Sequence, residues 1–527
     1  MCGIAVAIDW DGAEAAVRQL LIGVAHRGDV SDPVLSPRPN TAMGTRRLRI
    51  VDADRAMQPQ LSFDRGLIVS FNGEIYNHDE LRRELAGLGV PFRTESDGEV
   101  LANALQVWGV KALQRFNGMF AFVAIDIATG EFLAARDPYG VKPLYLIQSE
   151  TGFLFCSEIR PLLAAAPSGD VLLLPPGYLL SRKFCAGYKS PIRGPFARNA
   201  PCDIDALDAK LKEAVRIRLP DGLPVATLLS GGIDSTLVAH YAHMFRPEAP
   251  GYFLGDETAP DYQYVSAYAA KSGIDLRLVS FDSCKSFEQI GEIVAVSESF
   301  EPNVIRGAAC SYILSRAIHE DGFRVALCGE GADELFCGYP PLEYSFRHGN
   351  TVGRSARDEC LAMMHRTSLQ RVDRCAMKFQ LEVREPFLDP SIAVFAMELD
   401  GSALVQDING VPKGKMPLRN LYELYPNELP ASIRDREKLP FNEGAGIGND
   451  GPGSQWQTLI SDAISDRALD DGKREFEGFD IQTKEELYYL RKLADAMDVS
   501  RVPQLRARTR IQFPSYDMDE RLKSSII

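Results

Sequence analysis

Two glycine-rich segments in the second half of the chain have the residue types of a phosphate-binding site. The first reads LLSGGIDS at 228–235, where an apolar run ends at Ser230 and two glycines precede Asp234. Glycines at such a turn let backbone N–H groups approach an anion, and a following helix adds the positive end of its dipole. Because Asp234 would repel a phosphate, it predicts a Mg²⁺ ion between them. Taken alone, the segment also fits a strand–helix turn that binds nothing.

A second acidic loop strengthens this interpretation. The segment LCGEGADELFCGY at 327–339 places Glu330, Asp333 and Glu334 within five residues, beside glycines. Carboxylates this close are costly without a cation, although a solvated acidic turn is the alternative. Both segments follow predicted strands, and the carboxyl ends of parallel strands meet at one sheet edge. Together they predict a magnesium–nucleotide site.

A third candidate for chemistry is the thiol of Cys2, at the other end of the chain. Removal of Met1 would place a free α-amine beside this thiol. An α-amine with a pKa of about 7.7–8.0 can act as the base that a nucleophilic thiol needs. Taken alone, Cys2 could equally be a small residue that happens to follow Met1.

The elements that must position these residues differ between the two halves of the chain. Short apolar segments dominate residues 1–185, with a hairpin predicted around Gly130 and helices at 13–24 and 98–108. Glycine, proline and basic residues at 181–202 indicate a linker. A helix capped by Asp203 follows, and then strands alternate with helices, which indicates a parallel sheet covered by helices. Beyond about residue 354 the pattern is mostly helical.

Composition limits the classes of function. The chain has 527 residues, a formal net charge of −14 and 45% hydrophobic residues, as expected for a soluble protein of two to four domains. The negative charge disfavours nucleic acid and anionic membranes as partners, so we expect small-molecule substrates. No apolar run is long enough to span a membrane and the N-terminus does not read as a signal peptide, so we expect a cytoplasmic protein. Ten cysteines without a CxxC pair argue against a disulfide scaffold and a structural zinc site.

From residue 1 to about 445 the chain resembles the glutamine-dependent asparagine synthetases. The C-terminal half shares with them, in order, SGGIDS at 230–235, GEGADELFCGY at 329–339, LEVREPFLD at 381–389 and REKLPF at 436–441. The N-terminal half resembles their class II glutamine amidotransferase domain through MCGI at 1–4, HRG at 26–28, RRLRIVD at 46–52, NGEIYN at 72–77, SD at 96–97, FNGMFA at 116–121 and RDPYGVKP at 136–143.

The resemblance implies an α/β protein of two domains. Residues 2–185 would form the αββα sandwich of N-terminal-nucleophile hydrolases, an α+β domain that binds and hydrolyses glutamine. Residues 186–202 would be the linker. Residues 203–527 would form a parallel-sheet ATP-pyrophosphatase domain, of the adenine nucleotide α-hydrolase type, with a helical C-terminal extension.

The resemblance also implies residue roles in the glutaminase half. Cys2 would attack the glutamine amide, and Asn72 with the backbone N–H of Gly73 would stabilise the oxyanion. The residues implied in glutamine binding are Arg47, Asn72, Gly73, Glu74 and Asp97.

In the synthetase half, the resemblance implies ATP and Mg²⁺ as cofactors and L-aspartate as the acceptor. Asp234 and Asp333 would bind the metal, and Glu330 would assist as the base when ammonia attacks an acyl-adenylate. The residues implied in ATP binding are Leu228, Ser230, Gly231, Gly232, Asp234, Ser235, Gly329 and Lys438. The resemblance leaves homo-oligomer formation open.

Several features bear on the acceptor. The β-lactam-forming relatives carry tyrosine at the position of Glu330 and generally lack a working N-terminal cysteine, so ring closure is disfavoured here. Glu385 stands where these synthetases typically have valine; it would repel aspartate if it faced the acceptor, and would be without effect if paired with Arg384. The segment IDLR at 274–277 and the tail after about residue 498 also depart from the family pattern.

Two alternatives therefore stay open. One is a specialised amidotransferase of secondary metabolism that amidates another carboxylate. The other is a catalytically silent nucleotide-binding module, against which the intact set of candidate catalytic residues argues.

Overall fold

The computed structural model describes residues 1–52, 55–190, 200–280, 287–437, 439, 441–444 and 452–507. The strands are β1 (Cys2–Ile8), β2 (Val30–Ser31), β3 (Leu35–Arg38), β4 (Thr41–Arg47), β5 (Gln60–Leu61), β6 (Leu67–Ile75), β7 (Gly118–Asp126), β8 (Phe132–Arg136), β9 (Tyr145–Gln148), β10 (Phe153–Cys156), β11 (Leu172–Leu173), β12 (Tyr178–Leu180), β13 (Cys185–Gly187), β14 (Val225–Leu228), β15 (Gly251–Leu254), β16 (Leu276–Val279), β17 (Val325–Leu327), β18 (Glu382–Arg384), β19 (Gln406–Ile408) and β20 (Val411–Lys413).

The α-helices are α1 (Ala13–Gly23), α2 (His78–Gly87), α3 (Asp97–Trp108), α4 (Ile159–Ala165), α5 (Ile204–Arg216), α6 (Ile233–Phe245), α7 (Tyr262–Ser272), α8 (Ile290–Ser297), α9 (Pro302–Glu320), α10 (Ala332–Phe336), α11 (Pro340–Arg347), α12 (Asn350–Met363), α13 (Ser368–Met377), α14 (Pro390–Glu398), α15 (Gly401–Leu404), α16 (Met416–Leu421), α17 (Ala431–Asp435), α18 (Phe441–Gly444), α19 (Pro452–Ala463), α20 (Asp466–Glu475) and α21 (Lys484–Ala496). Short 3₁₀ turns occur at Ala25–Arg27, Gly109–Gln114, Met364–Arg366, Pro386–Leu388, Tyr422–Leu424, Val499–Arg501 and Pro503–Leu505.

The N-terminal unit is a sandwich of two antiparallel sheets. One sheet has the order β11-β9-β10-β1-β4-β2, with β3 also paired to β4, and the other has the order β13-β12-β8-β7-β6-β5. Side chains alternate along each strand, so β1 directs Ile4, Val6 and Ile8 into the core between the sheets and Ala5 and Ala7 to the other face. That outer face packs against α1 and α4, whereas α2 and α3 cover the second sheet. The four layers confirm the predicted αββα architecture.

The C-terminal unit is built on a five-stranded parallel sheet with the order β16-β15-β14-β17-β18. Helices α5, α6 and α7 contribute to the core on one face, and α9 and α13 to the core on the other. Because β14 and β17 are adjacent and parallel, the loops that follow them leave the same edge of the sheet. The predicted parallel sheet is confirmed, and Asp203 caps α5 by accepting a hydrogen bond from the Ala206 N–H.

Some features were not predicted. Helices α2 and α4 interrupt the strand-rich half, in addition to the predicted α1 and α3. Strand β13 ends at Gly187, two residues beyond the predicted domain boundary, and residues 191–199 of the predicted linker lie outside the described residues. The structure as described contains no helix that is both long and apolar enough to cross a membrane.

Candidate active sites

Cys2 begins β1 and lies where the two N-terminal sheets approach each other. Its register partner on β4 is Arg47, and its backbone N–H donates to Asn72 Oδ1 of β6 at 2.9 Å. Gln58 Nε2 lies 3.6 Å from the thiol sulfur. Burial raises the pKa of the Cys2 thiol, and the nearby N-terminal ammonium opposes this increase. With Met1 in place, the thiol therefore stays protonated at neutral pH.

Asn72, which contacts the Cys2 backbone, and the adjacent Gly73 both lie on β6. The side-chain Nδ2 of Asn72 is buried and has no hydrogen-bond partner among the described residues. Gly73 has a φ of 152°, and a Cβ added there would lie 2.0 Å from the Met119 carbonyl oxygen, so only glycine fits. A buried amide donor without a partner among the described residues fits the oxyanion-hole role that the resemblance implies for Asn72.

Three charged residues implied in glutamine binding also gather here. Glu74 and Asp97 are both buried; burial and then the Asp97 charge raise the pKa of Glu74 well above its usual value. Two adjacent carboxylates of this kind form a favourable position for an ammonium group. Arg47 donates from Nε to Asp32 Oδ2 at 2.8 Å and from Nη2 to Oδ1 at 3.3 Å. Asp32, which no sequence motif indicated, orients this guanidinium.

The C-terminal unit supplies one wall of this first site. The α-ammonium of Met1 lies 2.6 Å from Glu382 Oε2 on β18, and neither group is exposed. The other Glu382 oxygen accepts from Arg384 Nε at 2.6 Å, while Arg384 Nη2 reaches Glu74 Oε2 at 3.2 Å. The two units therefore share a buried ion network around the N-terminus.

The second candidate site lies at the carboxyl edge of the parallel sheet, where the two glycine loops touch. In the first loop, Gly231 has a φ of 70° and the Ser230 N–H donates to Ser235 Oγ at 3.1 Å. A Cβ added to Gly329 of the second loop would lie 2.9 Å from both Asp234 Cβ and the Ser235 nitrogen. A pocket at this contact is lined by predicted nucleotide-binding residues: Leu228, Ser230, Gly232, Asp234, Ser235 and Gly329. Lys438 lies outside the described residues.

Lys415, which precedes α16, joins the two loops and was missed by the sequence analysis. Its Nζ lies 2.5 Å from Asp234 Oδ2 and 2.5 Å from Asp333 Oδ1. Within the described residues no three His, Cys, Asp or Glu side chains cluster as a complete metal site. Because the carboxylates of Asp234 and Asp333 both contact one cation, the Lys415 ammonium, these two residues would be able to hold a Mg²⁺ ion.

The three carboxylates of the acidic loop have different surroundings. Asp333 and Glu330 line the pocket, and Glu330 Oε1 accepts from Arg371 Nη2 at 2.6 Å. Glu334 lies behind them and accepts from the Tyr339 hydroxyl at 2.9 Å. Burial and then the charges of Asp333 and Glu330 raise the pKa of Glu334 to about 8.

The end of the pocket near Glu330 is lined by polar side chains that could bind the substrate that accepts ammonia. Ser368 and Arg371 reach it from α13. The Ser368 hydroxyl is buried and has no hydrogen-bond partner in the described part of the chain. Arg306, also on the pocket wall, is held by Glu485 of α21 at 2.5 Å.

Glu385 does not belong to this pocket. It is absent from the described pocket lining, and only 4% of the residue is exposed. Its suggested pairing with Arg384 is also wrong, since that guanidinium donates to Glu382, Glu74 and the Arg218 carbonyl. Burial raises the pKa of Glu385 to about 8.

Comparison with known proteins matches both halves. Residues 1–171 match the glutamine amidotransferase domain family, and residues 206–361 and 346–498 match the asparagine synthase family. A glutamine-hydrolysing asparagine synthetase of Sandersonia aurantiaca is 30% identical over 470 residues, which are 85% of this chain and 87% of the relative. The nodule asparagine synthetase of Pisum sativum is 29% identical over 516 residues, covering 93% of this chain and 85% of the relative.

A solved glutamine PRPP amidotransferase from B. subtilis aligns with 67% of this chain and 79% of its own, at 16% identity and a TM-score of 0.32. This overlap is too poor to support a conclusion.

Proposed function

The chain belongs to the family of glutamine-hydrolysing asparagine synthetases, and from this premise we propose that it converts L-aspartate to L-asparagine. In this reaction ATP activates the aspartate side-chain carboxylate, and ammonia from glutamine completes the amide. The products would be asparagine, glutamate, AMP and pyrophosphate. We place the glutaminase domain at residues 2–185 and the synthetase domain at 203–527, joined by the linker 186–202.

In the glutaminase half, we propose that removal of Met1 frees the Cys2 α-amine. This amine accepts the thiol proton, and the thiolate sulfur attacks the glutamine δ-carbonyl carbon. The oxyanion that forms would take hydrogen bonds from Asn72 Nδ2 and the Gly73 N–H. The Cys2 α-ammonium then gives this proton to the amide nitrogen, which leaves as ammonia, and water hydrolyses the remaining thioester to glutamate. Glu74 and Asp97 would hold the glutamine ammonium group, and Arg47 its α-carboxylate.

In the synthetase half, we propose that a carboxylate oxygen of aspartate attacks the α-phosphorus of ATP and displaces pyrophosphate. The two glycine loops would hold the triphosphate, with Lys438 balancing its charge. Asp234 and Asp333 would hold Mg²⁺, which supplies charge neutralisation to the phosphates. Glu330 would accept a proton from ammonia as its nitrogen attacks the acyl-adenylate carbonyl and AMP leaves.

The acceptor would bind at the end of the pocket near Glu330. Arg371 can pair with a carboxylate through a guanidinium, and Ser368 offers a hydroxyl without another partner among the described residues. The charge of Glu385 does not oppose aspartate here, because Glu385 does not line the described pocket. Glu385 therefore gives no reason to prefer a carboxylate other than aspartate as the acceptor.

One observation carries the proposal for this half of the reaction. Glu330 lines the same pocket as the convergent pair Asp234 and Asp333, so a proton acceptor and a phosphate-binding centre face one cavity. Ammonia is largely protonated in neutral water, so we also propose that it crosses between the domains without release. That the enzyme works in the cytoplasm and has no nucleic-acid partner stays a prediction.

The test is a product assay. The protein is incubated with ATP, Mg²⁺, glutamine and individual carboxylates while AMP and the amide product are measured. We expect AMP and asparagine to form only with aspartate; AMP formation with another carboxylate and not with aspartate would refute this acceptor. Cys2→Ala should lose glutamine-dependent synthesis but retain synthesis from ammonium chloride, and loss of both would contradict two separable sites.

A further inference from the structure

Gln58 places an amide beside the sulfur of Cys2. Its Nε2 lies 3.6 Å from Cys2 Sγ, within the range of hydrogen bonds to sulfur. The other end of the amide fixes its orientation, because Gln58 Oε1 accepts from the Phe71 N–H at 2.9 Å. A backbone N–H can only donate, so the amide oxygen must face Phe71 and the NH₂ group must face the thiol. Gln58 therefore presents an N–H donor to the reacting atom.

Asp32 fixes the position of Gln58 through its backbone. The Gln58 N–H donates to Asp32 Oδ2 at 3.0 Å, and the same oxygen accepts from Arg47 Nε at 2.8 Å. The Asp32 side chain is only 4% exposed, so these hydrogen bonds are shielded from water. One buried carboxylate therefore holds two residues of the glutaminase site: the arginine implied in binding the glutamine α-carboxylate, and the glutamine that faces the nucleophile.

The other surroundings of the thiol act on its ionisation in both directions. Burial has the largest effect and raises the pKa of the Cys2 thiol. The N-terminal ammonium, the Leu48 N–H and Arg47 lower this pKa, in that order, and the charge of Asp32 raises it again. A donor that points at the sulfur stabilises the thiolate relative to the thiol. The contact from Gln58 therefore opposes the effect of burial at the one atom that must ionise.

We propose that Gln58 is a catalytic residue of the glutaminase site, whose Nε2–H donates to the Cys2 sulfur and stabilises its thiolate. This inference rests on the proposed function. Gln58 transfers no proton: the thiol proton goes to the α-amine, and the sulfur attacks the δ-carbonyl carbon of glutamine. The same donor acts again when water hydrolyses the thioester, because the bond between carbon and sulfur then breaks and the sulfur leaves as a thiolate.

A direct test measures how readily Cys2 ionises. Full-length protein without Met1, confirmed by intact mass, is treated with iodoacetamide over a range of pH, and alkylation of the N-terminal peptide is followed by mass spectrometry. Only the thiolate reacts, so the midpoint of the rate curve reports its formation. We expect this midpoint to lie about one pH unit higher in Gln58→Met, because a hydrogen bond to a charged group is lost. Gln58→Glu, which keeps an oxygen for the Phe71 N–H but puts a negative charge beside the sulfur, should raise the midpoint further.

The matched control is Gln106→Met, the same substitution at a glutamine of α3 in the same domain. Gln106 is half-buried like Gln58, but its Nε2 donates to Asp64 Oδ2 at 2.6 Å and not to the thiol. We expect its alkylation curve to coincide with that of the unmodified protein. An unchanged midpoint in Gln58→Met, or an equal increase in Gln106→Met, would overturn the proposal.

The kinetics of Gln58→Met distinguish a catalytic role from a structural one. Glutamate release from glutamine should be about tenfold slower, with most of the loss in kcat and little change in KM, because the donor acts on the nucleophile and not on bound glutamine. AMP formation driven by ammonium chloride should persist. A loss confined to KM, or an equal loss of both activities, would contradict the proposal. Failure of the proposed function is seen separately, because the unmodified protein would then release no glutamate or form no AMP, whereas the alkylation curves would still test the contact between Gln58 and Cys2.

Discussion

Replacing Lys415 by methionine tests how the nucleotide site is held together. Lys415 Nζ lies 2.5 Å from one oxygen of Asp234 and 2.5 Å from one oxygen of Asp333, so these oxygens are at most twice that distance apart. At an effective dielectric constant of about 20, two unit charges about 5 Å apart repel by about 3 kcal/mol. The three side chains are only 4%, 8% and 13% exposed, so water screens them little.

Lys415→Met keeps the length of the side chain but removes its charge. Breaking a buried ion pair costs about 3–5 kcal/mol, so we expect the unfolding temperature of the variant to fall by roughly 5–15 °C. Mg²⁺ with pyrophosphate supplies the missing positive charge between the two carboxylates. We therefore expect this ligand to raise the unfolding temperature more in the variant than in the unmodified protein.

The assay is thermal unfolding with and without Mg²⁺ and pyrophosphate. Lys378→Met is the matched control, because Lys378 pairs with Glu292 at 2.8 Å while 32% of its own side chain is exposed. Such surface pairs contribute about 0–1 kcal/mol. A decrease for Lys415→Met no larger than for Lys378→Met would refute the role of Lys415 as the shared counter-charge.

Three further predictions concern other sites. Asn72→Ala should lower glutamate release from glutamine about 10²–10³-fold by removing an oxyanion donor, while ammonium-driven AMP formation persists; equal loss of both rates would argue against that role. Ser368→Ala should raise KM for aspartate about tenfold with a smaller change in kcat, as expected when a hydrogen bond to a charged ligand is lost; an unchanged KM would place the acceptor elsewhere. Burial lowers the pKa of His240 to about 4, so the unfolded state binds more protons between pH 4 and 6.5 and stability falls as the pH drops. Between pH 7.5 and 5, the free energy of unfolding of His240→Phe, measured with denaturant, should therefore fall by about 2 kcal/mol less than that of the unmodified protein. Equal decreases in the two proteins would contradict a buried neutral histidine.

The layered architecture could be predicted because it follows from local patterns. The continuous apolar run of β1 is buried on both faces, and strands that alternate with helices after Asp203 indicate a parallel sheet. The meeting of the two glycine loops also followed from their positions after β14 and β17. Short helices such as α4, with seven residues, carry too little periodicity to be recognised in advance.

The charged partners inside the sites could not be predicted, because they come from distant parts of the chain. Asp32, which follows β2, orients Arg47 on the adjacent strand β4, and Lys415 reaches Asp234 from 181 residues away. Neither residue belongs to a motif with a fixed spacing. The surroundings of Glu385 could not be predicted from the sequence either, because the neighbouring Arg384 donates its hydrogen bonds to Glu382 and Glu74 instead.

The interface between the domains links the two sites through directional contacts. Arg27 donates to the Cys2 carbonyl at 3.2 Å and also to Asp373 of α13 at 3.0 Å. The same helix carries Arg371, which holds Glu330 at 2.6 Å. Buried ion pairs add little net stability but penalise other arrangements, because a displaced charge would be left unpaired. Helix α13 is therefore connected through Arg27 to the backbone of Cys2 and through Arg371 to the side chain of Glu330.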